Sequence, residues 1–369
     1  MIGDGKNNDA ASIRGYLSEM RGRGVFHLPR PHVAWSFADP VVVPRGVQIV
    51  GDSDGMFSTL VQGLPSFPPG RDLFEFETGG QTYGNRIANM TLRPAPVAGC
   101  GAISYRPVDE NSTAERWQGE LENLRFQGTN THNPHCIYIA GNVHSSRFSN
   151  LWGDPGRYDA THDTVVLKFS DGTDAPVDAA GVYASTIERI NCTSVRGGFC
   201  AAIRGKLVAT HARAINIGLG TRGTPYLDLR NCQAVTVTNV LIEGGGGKPM
   251  VRLEACRDFE LTGVMLGNPV IQDPRVIGLG NGIEMIACSN AKVRGATRWF
   301  SNPSWTTSDK RAVTLDADCE SCDVEIGIGN IDTLATATTD LGTNNRVRTR
   351  NPYAFAPQRF QETFNKVAV

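Results

Sequence analysis

The 369-residue chain lacks charge of one sign: 36 Lys and Arg stand against 37 Asp and Glu, a formal charge of -1. Without an overall positive field, generic nucleic-acid binding and polybasic membrane attachment lose their electrostatic driving force. Long apolar runs are missing too. No stretch approaches the roughly 18 residues of a membrane-spanning helix, so no membrane insertion is expected. The amino end, Met1 to Gly5, has no basic region followed by an apolar one, so no signal peptide is expected and the chain reads as made in a cytoplasm. Cysteine is sparse, nine residues in all, an odd count at low density that speaks against a disulfide scaffold and for reduced thiols. Cys319 and Cys322 form a lone CxxC, and without a second pair no metal site is expected. Gly244 to Lys248 is glycine-rich but is followed by Pro249 rather than Ser or Thr, so it reads as a turn and not as a phosphate loop. Nothing in the sequence calls for a cofactor.

What is present is a repeat. A six-residue pattern, apolar, any, Asn, apolar, any, apolar, recurs around Asn89, Asn123, Asn150 and Asn239, and looser copies place Arg189, Ala214, Gly263, Gly295 and Ile326 at the Asn position. The spacing runs from 24 residues (Asn239 to Gly263) to 39 (Asn150 to Arg189). A fixed floor with variable additions is the mark of stacked coils carrying loops. Before several copies lies a second alternating strand that ends in cysteine, at Cys232, Cys256, Cys288 and Cys319. Alternation means one buried face. The fold class that follows is all-β: a single-stranded right-handed parallel β-helix of about ten coils. The cysteines read as an interior stack of small buried hydrophobes, and the asparagines as a ladder at a bend. Asp228, Arg252 and Glu284 in one outward file, and Arg230 and Glu254 in the next, read as cross-rung ion pairs.

The amino segment carries a helix start at Asn8 or Asp9, an apolar stripe at Ile13, Tyr16, Leu17 and Met20, and stop signals at Gly22 and Gly24. A short capping helix over the first coil is expected in residues 1–24, the β-helix over 25–332, and a tail over 333–369 that caps the last coil or contacts another subunit.

Asp4, Gly5, Asp9, Pro29, Gly46, Val47, Gly51 and Asp52 form an opening that resembles the pectate-lyase-like superfamily, in its branch of phage tailspikes and polysaccharide-degrading proteins. The likeness covers about the first 55 residues, and the coil pattern extends it. Pro29-Arg-Pro-His replaces the branch's usual Pro-Gly-x-Tyr. The resemblance implies a homotrimer on a phage tail, made in the host cytoplasm, that binds and hydrolyses a bacterial surface polysaccharide and contacts other virion proteins. A structural or adhesive virion protein is the alternative, and a cellular polysaccharide lyase or glycosidase a further one. The Gly-His-Gly and paired aspartates of polygalacturonases and the Arg-x-Pro-x-x-Arg of pectate lyases are absent, so pectin has no motif support.

Function on such a rod sits at insertions, because turns tolerate extra residues and coils do not. The largest insertion follows Asn150 and contains Trp152, Asp154, Arg157, Tyr158, Asp159, His162 and Asp163; other long turns hold His132, His135, Trp299 and Trp305. Trp152, Tyr158, Trp299 and Trp305 offer faces for sugar C–H groups, while Arg157, Asp159 and Arg213 offer partners for hydroxyls or acidic groups. Asp154, Asp159 and Asp163 read equally as turn residues or a calcium site. Glycoside hydrolysis needs two carboxyls, about 6.5 to 9.5 Å apart for inversion. Glu122 and Glu188, outward and two rungs apart, fall at roughly 9 to 10 Å. Together with Asp154 they are the candidate catalytic groups, against the plainer reading of a surface charge ladder.

Overall fold

The computed structural model describes residues 2–20, 22–52, 57–109, 114–129, 133–154, 164–170, 181–192, 200–217, 225–243, 249–268, 282–299, 311–329 and 338–350. The strands fall into one sheet of eighteen and another of eleven, and every described pairing is parallel. One coil shows the plan. Asn142–His144 and Arg147–Asp154 lie in the long sheet, Thr164–Phe169 crosses to the second sheet, and Gly181–Tyr183 returns to pair with Asn142–His144. Successive coils stack in this way into a right-handed parallel β-helix.

The turns of each coil are made by single residues in the left-handed region. Asn89, Asn123, Asn150, Arg189, Ala214 and Asn239 all have φ between 52° and 60°. Asn tolerates this region because its short amide bonds locally. The first three link into the expected ladder: Asn123 Nδ2 donates to Asn89 Oδ1 at 2.9 Å, and Asn150 Nδ2 to Asn123 Oδ1 at 2.7 Å. A second left-handed column, Ser145, Ala184, Ala209, Ala234, Asp258, Asn290 and Ser321, precedes the same strands. Each strand of the long sheet is thereby divided into flat segments on different faces.

Alternation fills the interior. Phe76, Trp117, Phe148 and Phe169 contact one another in turn at centroid distances of 5.3, 5.8 and 5.3 Å, each burial being worth about 2 to 3 kcal/mol. Cys232, Cys256, Cys288 and Cys319 form the expected interior stack. The thiols donate to backbone carbonyls of preceding coils, Cys256 to Leu229 at 3.5 Å and Cys288 to Leu253 at 3.4 Å. Among the described residues no His, Cys, Asp and Glu cluster could hold a metal. Cys192 is disulfide-bonded, which departs from the reading of reduced thiols throughout. Of the outward files, Arg230 reaches Glu254 on the next rung at 3.6 Å as expected, while Arg230 at 3.1 Å from Asp228 and Arg252 at 2.8 Å from Glu254 pair along their own strands and join the two files instead.

The helix Ala10–Glu19 buries Ala10, Ile13 and Leu17 and packs on the strand Val41–Val43. Asn8 Oδ1 accepts from the Ala10 N–H at 3.1 Å, opening the helix at the expected place. Of the predicted stripe, Tyr16 differs: it lies at the surface against the Phe26 ring. At the other end Thr338–Asp340 and Arg346–Arg350 carry both sheets on, where the sequence pattern has faded.

Candidate functional site

The sequence candidates that the structure describes fall on two faces of the long sheet, which meet at the asparagine ladder. Past the bend, register aligns Thr91, Arg125, Trp152 and Asn191 in one outward file, and Gln127 with Asp154 in the next. Gly153 faces inward between Trp152 and Asp154, where a Cβ would come within 2.4 Å of Val166 Cγ2. The strand therefore lies flush on the second sheet and presents Trp152 and Asp154 outward. The Arg125 guanidinium sits 5.2 Å from the Phe57 ring centre, 5.9 Å from that of Trp152 and 4.0 Å from Asp154 Oδ2. Phe57 meets Trp152 edge to face at 6.2 Å and leaves 59% of its surface exposed. Beside them Arg93 donates to Gln127 Oε1 and Gln62 Oε1 at 3.0 and 3.2 Å. Burial, with Arg125 nearby, lowers the Arg93 pKa from its usual value.

Before the bend the outward file runs Ala88, Glu122, Ser149, Glu188, Arg213, Thr238, Thr262. Glu122 is hydrogen-bonded to Arg86, whose Nε also lies 3.7 Å from Glu120. Glu188 is nearly buried, its side chain 8% exposed. It accepts from Arg213 Nη2 at 2.6 Å and Nε at 3.0 Å, and from Arg147 Nη2 at 3.0 Å. Hydrogen bonds from Arg213 and then Arg147 lower its pKa and hold it ionised. Arg189 Nη2 stands 3.8 Å from the same carboxylate.

The structure thus brings Trp152 and Asp154 together through Arg125, and Glu188 with Arg213, while Glu122 keeps a different partner two rungs from Glu188. Arg157, Tyr158, Asp159 and Trp305 lie outside the described residues, as do His132, His162, Asp163 and the side chain of Trp299. His135, expected in a long turn, begins the strand His135–Ile139 instead and is buried. There its Nε2 lies 2.9 Å from Asp72 Oδ1, which also accepts the Gly101 N–H at 2.6 Å, while Asp72 Oδ2 accepts Arg106 Nη2 at 2.6 Å. The sequence reading missed Phe57, Arg125, Arg147 and Arg189. Two places after the asparagine, the same rung spacing that aligns Glu122 with Ser149 sets Arg125 beside Trp152. Phe57 comes from an irregular turn and leaves no such signal.

No protein-family model matches the sequence, and no curated relative does. Among solved structures, DFA-IIIase from Arthrobacter chlorophenolicus is similar over 87% of this chain and 91% of its own, at 10% identity and a TM-score of 0.53. The chain has the parallel β-helix fold. Two further β-helices superpose more loosely. The A-module of Azotobacter vinelandii mannuronan C-5 epimerase covers 94% of this chain and 96% of its own at 12% identity and TM-score 0.49. The tailspike protein of Escherichia coli bacteriophage HK620 covers 92% and 75% at 9% identity and TM-score 0.47.

Proposed function

We propose that this β-helix is a tailspike-like protein that binds a bacterial surface polysaccharide, assembles as a homotrimer and resides on a phage tail. The observation that carries the binding is the patch of Phe57, Arg125, Trp152 and Asp154. Aromatic surface receives the C–H face of a sugar, and the guanidinium and carboxylate beside it answer ring hydroxyls. The strand that ends at Asp154 leads directly into residues 155–163, which carry Arg157, Tyr158, Asp159 and Asp163. The opening that resembles the tailspike branch supports the same reading. The experiment is to incubate the purified chain with a panel of capsules and O-antigens, scoring binding by calorimetry and chain length by size-exclusion chromatography. Binding to at least one polysaccharide supports the reading, and binding to none overturns it. Sedimentation should give a mass near three times 39.8 kDa.

Hydrolysis is a second reading, favoured by Glu122 and Glu188 facing each other across Ser149 at roughly two strand spacings, about 9 to 10 Å. Glu188, held ionised, could act only as the base, and Glu122 would have to supply the proton. On this reading new reducing ends appear without absorbance at 232 nm. Glu122→Gln and Glu188→Gln should each slow their release by about a hundredfold or more. Intact chains with binding retained leave an adhesin, and absorbance indicates a lyase.

A further inference from the structure

The outer face of the long sheet holds an imbalance that a charge ladder does not explain. Three guanidinium groups, those of Arg147, Arg189 and Arg213, converge on the single carboxylate of Glu188. Glu122 and Glu120 lie two rungs from Glu188, on the strand next to Arg147; they are engaged by Arg86 and also act electrostatically on Arg147. The carboxylate is almost wholly covered, at 8% exposure, whereas the three arginines are 48%, 60% and 58% exposed. Although the half-exposed Glu120 stands opposite Arg147, what the cluster presents to solvent around Arg189 and Arg213 is cationic. Because two arginines keep Glu188 ionised, the arrangement does not dissolve at neutral pH.

Arg189 makes the case independently. It occupies the bend position at φ 56°, where Asn stands in three preceding coils and completes a hydrogen-bonded ladder. The bend does not itself select arginine, since Ala214 fills the same position in the next coil at φ 55°. Here the substitution interrupts the ladder and adds a third cation at a site that already has two. An exposed ion pair gives little stability, so the fold gains little from it. Arginine forks match carboxylates in a planar, bidentate way. Beyond Arg213 the face continues through Thr238 and Thr262, with Thr236 beside them, hydroxyls suited to the uncharged parts of a sugar chain.

We propose that Arg147, Arg189 and Arg213, gathered and oriented by Glu188, bind the carboxylate of an acidic sugar residue, so that the polysaccharide recognised is an acidic one. The proposal rests on the reading that this chain binds a surface polysaccharide. It gives Glu188 the part of a positioning residue.

The test uses the full chain with acidic capsular polysaccharides, each paired with its carboxyl-reduced form, and with a DNA duplex as a second polyanion. The acidic form should bind about tenfold or more tightly than its reduced form at moderate salt. Arg189→Asn, which restores the ladder residue and keeps the thermal midpoint, should bring that ratio close to one, as should Arg213→Gln. If acidic and reduced forms bind alike, this inference fails while the polysaccharide reading stands. Binding to no polysaccharide removes both. DNA bound as tightly, with the same dependence on Arg189, makes the face a general polyanion surface and overturns the assignment to acidic sugar.

Discussion

Asp72 shows how much one residue can hold. Its side chain is fully buried, yet it takes hydrogen bonds from Gly101, Arg106 and His135 across separate coils. Burial alone would raise its pKa, but the hydrogen bond and charge of His135, with Arg106 and Ser104, outweigh it and lower the pKa below 3.8. A depressed folded-state pKa contributes stability above the unfolded value, and that contribution is lost as the pH falls through the folded pKa. Asp72→Asn should therefore destabilise by about 3 to 5 kcal/mol at pH 7 in urea unfolding, and the difference from wild type should shrink below about pH 4. A constant difference across that range would contradict the account. The network itself was illegible in the sequence: Asp72, Gly101 and His135 stand at one position of successive rungs, but each is a different residue type, and Arg106 joins them from outside that file. The asparagine and cysteine columns were legible because one backbone requirement, a left-handed bend or a small buried side chain, recurs in every coil and selects the same residue. The second bend column escaped because alanine, serine, Asp258 and Asn290 all satisfy it, so no one residue type recurs to mark it.

At the scale of the element, the strand Arg147–Asp154 serves both faces of the candidate site. Before Asn150 it contributes Arg147 to the cluster on Glu188, and after it Trp152 and Asp154 to the aromatic patch. The sequence placed Trp152 and Asp154 in an insertion. The structure places them in the strand that precedes it, because the apolar alternation of Phe148, Leu151 and Gly153 continues one residue short of Asp154. Gly153 is the least replaceable member. Gly153→Ala should destabilise by about 1 to 3 kcal/mol through overpacking against Val166 and weaken polysaccharide binding with it. Adding Val166→Ala should recover much of both, read as a coupling in a double-mutant cycle. Additive losses would mean that the two residues do not share the contact.

Across the whole molecule, the rod separates what stacks from what binds. Stacking needs identity from coil to coil, and supplies the columns from which the fold was readable. Binding needs difference, and the proposed sites lie where a column breaks: Arg189 in the asparagine file, Trp152 and Arg125 beside Thr91 and Asn191. Rung counting located Glu188 and Arg213 as neighbours, but it could not show that Arg147 and Arg189 join them, since side-chain reach and not register closes that cluster. The central claim is that the patch around Trp152 meets a sugar. The most direct measurement is calorimetric affinity for the best-bound surface polysaccharide, compared between wild type and Trp152→Ala at equal thermal stability. The account predicts a loss of about tenfold to thirtyfold, ~1.5 to 2 kcal/mol, as befits an aromatic anchor. Unchanged affinity in a folded Trp152→Ala variant would contradict it.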